Sequence, residues 1–60
     1  MVKFRIELHV PGAYEDKIIE CERCEIKENC YCFWIAVHGK SRLVASYPIH
    51  YTIVREIIEE

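Results

Sequence analysis

Residues 30–38, CYCFWIAVH, carry apolar side chains on both faces of the extended strand they are expected to form. Tyr31, Phe33, Ile35 and Val37 fall on one side, and Cys30, Cys32, Trp34, Ala36 and His38 on the other. Successive side chains of a strand point to opposite faces, so this segment needs cover on both. A single sheet with water on one side does not provide it. Either a helix of the same chain packs on the second face or another chain does. In a chain of 60 residues that demand is severe, because a short chain buries a smaller fraction of its surface than a larger domain. Such chains draw on disulfides, a metal or a partner subunit. Cys30, Cys32, Trp34 and Ala36 are therefore the expected interface of a homo-oligomer, most simply a homodimer.

The remaining segments read as strands and turns of one small domain, residues 1–60. Residues 2–10 alternate strictly: Val2, Phe4, Ile6, Leu8 and Val10 against Lys3, Arg5, Glu7 and His9. That is a half-buried strand with one wet face. Pro11-Gly12 ends it, and Ala13 to Asp16 is expected to continue the turn. Residues 17–26 form a second extended segment, where the adjacent Ile18 and Ile19 point to a bulge or to contact with two layers. Lys27-Glu28-Asn29 reads as a hairpin loop. His38-Gly39-Lys40-Ser41 is a second turn, Arg42 to Tyr47 a fourth strand, and Pro48 its end. Residues 49–60 admit two readings. As a helix, Ile49, Ile53 and Ile57 stack; as a strand, Thr52-Ile53-Val54 fits well. The acidic Glu59 and Glu60 oppose a helix dipole at that end, which favours a strand returning beside the first. The expected fold is mainly β, a small antiparallel meander or half-open barrel of four to five strands. The alternative is α+β, a four-stranded sheet with residues 49–59 as a C-terminal helix.

At 52% hydrophobic and 30% charged residues, the composition is that of a folded domain. A net charge of −2 and a pI of about 5.9 argue against a general polyanion binder, which clusters Lys and Arg. No stretch is long and apolar enough to span a bilayer, so no membrane partner is expected and the cytoplasm is the expected location. Nine Glu, no Gln and one Asn form a thermophile-like composition. That matters because intracellular proteins of hyperthermophiles can carry disulfides, which a reducing cytosol otherwise disfavours.

All four cysteines lie within CERCEIKENCYC: Cys21, Cys24, Cys30 and Cys32. Zinc takes four tetrahedral ligands, often from two C-x2-C knuckles. Cys21 and Cys24 supply one, but Cys30-x-Cys32 is tighter, its Cα atoms about 6–7 Å apart on a strand. His38, on the same strand face, could complete such a site. A disulfide is the second reading. With a three-residue loop at Lys27-Glu28-Asn29, Cys24 faces Cys32. Opposed Cβ atoms sit about 4.5–5.5 Å apart, near the roughly 3.8 Å of a disulfide. The third and simplest reading is four small core hydrophobes, since free cysteine is among the most buried residue types. A redox-active C-x-x-C is disfavoured, because Glu20, Glu22 and Glu25 crowd the pair and raise the cost of a thiolate.

Other chemistry is sparse. His9, His38 and His50 are scattered, the only Asp is Asp16, and Gly12 and Gly39 are isolated, so neither a catalytic triad nor a phosphate loop is legible. The chain has little room for a pocket that buries a substrate, and it reads as a non-enzyme with no evident small-molecule ligand and no cofactor, zinc being the alternative. A nucleic-acid surface of Lys3, Arg5, Lys40 and Arg42 would form only if strands one and four were neighbours, with Tyr31 or Trp34 as a stacking platform.

Cys24-Glu25-Ile26, Phe33, Val44-Ala45-Ser46-Tyr47-Pro48 and Ile53 together resemble short uncharacterised β-meander reading frames of phages, archaeal viruses and plasmids. The resemblance covers about residues 18–54, and cysteines stand here where aliphatic residues usually do. It implies a small accessory or regulatory protein without assigned activity. The expected role is a non-enzymatic binding or assembly module acting as a homo-oligomer. The alternative is a metal-stabilised nucleic-acid-binding regulatory protein.

Overall fold

The structure is a computed structural model and describes residues 1–58. It is an antiparallel β-meander of six strands: β1 (Val2–Val10), β2 (Ala13–Cys21), β3 (Arg23–Lys27), β4 (Cys30–Val37), β5 (Lys40–Pro48) and β6 (Thr52–Ile57), with a single 3-10 turn, Ile49–Tyr51, before β6. The strands form two three-stranded sheets, ordered β2-β1-β6 and β3-β4-β5. The two bent ribbons β2–β3 and β5–β6 each pass from one sheet to the other, and β6 returns beside β1. The result is two open three-stranded sheets joined by those two ribbons.

Three two-residue turns set the register. Pro11-Gly12 joins β1 to β2, and Gly12 takes φ 85°, the left-handed angle a type II turn needs after proline. Glu28-Asn29 joins β3 to β4 with φ 53° and 61°, and His38-Gly39 joins β4 to β5 with φ 51° and 77°. Two consecutive positive φ values make a type I′ turn, whose twist matches that of the flanking strands. All three turns are shorter than the sequence pattern indicated. Ala13 to Asp16 lie in β2, and Lys40 and Ser41 pair with Val37 and Ala36. His38 therefore sits at a turn rather than on the strand face of Cys30 and Cys32.

Six strands stand where four to five were expected because the second segment bends at Glu22. Its N–H donates to the Trp34 carbonyl at 2.9 Å, pinning the corner where β2 becomes β3. At the other crossing, the Thr52 hydroxyl donates to the Pro48 carbonyl at 2.6 Å, and the Ile49 N–H donates to the Asn29 carbonyl at 3.0 Å. Thr52 is buried there. Residues 49–57 are a short 3-10 turn and a strand rather than a helix; residues 59 and 60, the end of that segment, lie outside the described residues. The expected bulge at Ile18 and Ile19 is absent: β1 and β2 pair without interruption, with Arg5 opposite Ile18 and Phe4 opposite Ile19. The bulge falls on β5, where Phe33 opposes Ala45 and Trp34 opposes Leu43, leaving Val44 unmatched.

The core lies where the sheets cross. Ile6, Cys21 and Phe33 are fully buried, with Phe4, Ile19, Cys24, Tyr31, Ala45 and Val54 packed around them. The Phe33 ring meets Phe4 edge-on at 5.5 Å and Tyr47 at 6.1 Å. Burying one such ring stabilises the fold by about 1.5–3 kcal/mol. The radius of gyration is 12.0 Å, against about 10.4 Å for a compact chain of this length. The molecule is only 14 Å thick, so the fold is two thin layers with wide outer faces.

Candidate interaction surface

The register divides the four cysteines between two faces. Cys21 ends β2 pointing inward, fully buried, with its Sγ 3.5 Å from the Arg23 carbonyl it donates to. Cys24 opposes Phe33 and also points inward. Cys30 and Cys32 stand on the outer face of the β3-β4-β5 sheet, opposite Lys27 and Glu25. The expected Cys24–Cys32 disulfide fails because the loop has two residues rather than three. That change shifts the pairing by one position and puts the two side chains on opposite faces. All four thiols are free, and among the described residues no three His, Cys, Asp or Glu side chains gather as a metal would require. Burial pushes both the Cys21 and Cys24 thiols up from their ordinary range. Both are thereby held neutral and poorly nucleophilic near neutral pH.

The basic residues also separate. Lys3 and Arg5 lie on β1, in the first sheet, while Lys40 and Arg42 lie on β5, an edge of the second. The four do not make one patch, because β1 and β5 are not neighbours. Arg5 is engaged with Asp16, donating Nε to Oδ1 at 3.1 Å and Nη2 to Oδ2 at 2.6 Å. This contact raises the guanidinium pKa and lowers that of the carboxyl.

What the fold does bring together is the outer face of β3-β4-β5. Cys30, Cys32, Trp34 and Ala36 run along its centre on β4. Arg23, Glu25 and Lys27 flank them on β3, and Leu43, Ser46 and Pro48 on β5. The Arg23 guanidinium lies 5.5 Å from the Trp34 ring centroid. It is steered there by Glu25 and by Ser41, whose Oγ accepts from Nη1 at 3.2 Å. Cys32 is buried beneath this layer, with Sγ 3.8 Å from Ser46 Oγ. An open groove of about 310 Å³ crosses the face between Lys27, Cys30, Trp34 and Leu43. The Trp34 Nε1 is buried and has no hydrogen-bond partner among the described residues; an indole N–H in that state costs about 1–3 kcal/mol. No element of the described chain covers this face.

The sequence pattern identified Cys30, Cys32, Trp34 and Ala36 as one face but missed Arg23, Leu43 and Ser46 beside them. The signal was present in Glu28-Asn29: reading it as a two-residue I′ turn, which favours Asn, would have aligned Arg23 with Trp34. Comparison with protein-family models, curated proteins and solved structures found no match.

Proposed function

We propose that this chain is a non-enzymatic module that assembles with a second copy of itself through the outer face of the β3-β4-β5 sheet. The observation that carries the reading is Trp34: a large indole on an uncovered sheet face, its N–H buried and unbonded. Aromatic anchors of this kind dominate interface energies. The charges around it suit a copy of the same surface. Arg23 and Lys27 balance Glu25 and Glu28 around an apolar centre, so a two-fold related pair can set positive against negative side chains. A polyanion finds no net attraction there. Four free thiols fit a reducing cytoplasm, and the resemblance to phage, archaeal-virus and plasmid meanders fits an accessory role.

Size-exclusion chromatography with light scattering tests the reading. The wild-type chain is expected to run above its 7.2 kDa monomer mass. Ala36→Arg, which sets a long cation on the exposed outer face two residues beyond Trp34, is expected to lower that mass with an unchanged circular-dichroism spectrum. A wild-type monomer at all accessible concentrations, or an Ala36→Arg protein of unaltered mass, would overturn the assignment of this face.

A further inference from the structure

The edge of β2 offers a second route to self-association. β2 pairs with β1 through all nine of its residues, and its other side has no neighbour in the order β2-β1-β6. Exposed edges are usually blunted by shortness, proline or a bulge. The other three edges are: β3 has five residues and β6 six, while β5 has the Val44 bulge and Pro48. β2 has none of these devices, and only charge protects it. Two large apolar side chains nevertheless stand on its outer face, Tyr14 at 56% and Ile18 at 62% exposure.

These side chains select a register. In an isologous pair the two β2 strands run antiparallel about a two-fold axis normal to the sheet, so outer residues meet outer residues. The axis then passes through one residue. Centred on Lys17, it opposes two lysines. Centred on Ile18, it opposes Asp16 to Glu20. Axes nearer either end leave five paired residues or fewer. Centred on Asp16, it sets Glu15 against Lys17 of the copy on one face and Tyr14 against Ile18 on the other. Each match occurs twice, and opposite-charge and aromatic–β-branched pairs both stabilise a sheet. The one like-charge pair is Asp16 against its copy, and Arg5 already holds each of these carboxylates through two hydrogen bonds. Glu15 and Lys17 form a 3.5 Å ion pair within one strand, which the cross-strand pairs would replace.

We propose that β2 pairs with β2 of a second copy, antiparallel and centred on Asp16, to make one continuous six-stranded sheet. This contact goes beyond the one centred on Trp34 and stands whether or not that one forms. A pairing over residues 13–19 is about 23 Å long, small beside the roughly 800 Å² per partner of a standard interface, so it forms at high protein concentration.

Sedimentation velocity over a concentration series, in the Ala36→Arg background, separates the two contacts, because that substitution acts on the other face. The parent is expected to self-associate still. Glu15→Lys should weaken that association by about tenfold or more, since it replaces two attractive pairs with two repulsive ones; Lys17→Glu should do the same, and it also gives up the Lys17 ammonium over the Tyr47 ring at 5.1 Å. The double swap E15K/K17E restores the pairing and should restore association. A parent that stays monomeric throughout, single variants that associate like the parent, or a double swap that fails to recover would each overturn the β2 contact. A mass change on Ala36→Arg alone reports only on the Trp34 face.

Discussion

The guanidinium of Arg23 covers the indole of Trp34 at 5.5 Å from the ring centroid, and the backbone pairing of β3 with β4 places the two directly opposite. Trp34 is the single tryptophan, so its fluorescence reports on that face. Arg23→Ala removes a contact worth about 0.5–1 kcal/mol and uncovers the ring. The emission maximum is expected to move to longer wavelength and acrylamide quenching to increase. Unchanged emission and quenching would show that Arg23 does not shield the indole.

The cysteines should react in an order set by face. Cys30 stands half-buried on the outer surface, while Cys21 is sealed in the core. Limited alkylation read by peptide mass spectrometry is expected to label Cys30 well before Cys21, and unfolding should abolish the difference.

Alkali should destabilise the fold through the two inward-facing thiols. Burial raises the Cys21 and Cys24 pKa above the ordinary 9.0. Above that pH the unfolded chain releases protons that the folded chain retains, so stability falls as pH rises. Lys17 acts in the same sense: the Tyr47 hydroxyl raises its pKa, and that stabilisation is lost as the ammonium deprotonates. Urea midpoints are expected to hold near neutral pH and drop beyond about 9, with a shallower drop in Cys21→Ala. A midpoint rising with pH in that range contradicts the assignment.

The β3–β4 turn is strained at Glu28, which takes φ 53° without being glycine or asparagine. A left-handed conformation costs an ordinary residue about 1–2 kcal/mol. Glu28→Asn combined with Asn29→Gly installs the preferred I′ pair. The melting temperature is expected to rise by several degrees, given about 4–8 °C per kcal/mol for a domain of this size. Asn29→Val should do the reverse.

Phe33 carries an outsized share of the core. Phe33→Ala is expected to cost about 3–5 kcal/mol, comparable to the roughly 3–9 kcal/mol total stability of a 60-residue domain. Circular dichroism at room temperature should then show a largely unfolded population. Phe33→Leu, which keeps most of the volume, should remain folded with a lower midpoint.

Much of this fold was legible in the chain because period-two patterning is a local property. The alternation of Val2 to Val10 marks β1 and its inward face, Pro11-Gly12 its end, and the two apolar faces of β4 follow from Tyr31, Phe33, Cys32 and Trp34 alone. The β-branched run Thr52-Ile53-Val54 favoured a strand over a helix for residues 49–60, and the structure pairs that strand with β1. What local pattern left open was pairing. Whether Cys24 faces Cys32 or Phe33 depends on one residue of loop length, and that residue decides between a disulfide and two thiols on opposite faces. Whether Lys3 and Arg5 meet Lys40 and Arg42 depends on which strands are neighbours.

The chain by itself therefore determined a series of alternating strands, one of them apolar on both faces, since side-chain alternation needs no partner to be read, and left residues 49–60 open between strand and helix. Only the tertiary structure decided how the doubly apolar strand is used. The bend at Glu22 sends β2 and β3 into different sheets, seals Phe33 and Cys21 inside, and leaves Cys32 and Trp34 on an outer face beneath Arg23. The physical reason is that register and sheet order come from backbone hydrogen bonds between distant segments, and one residue of slip reverses every face they set.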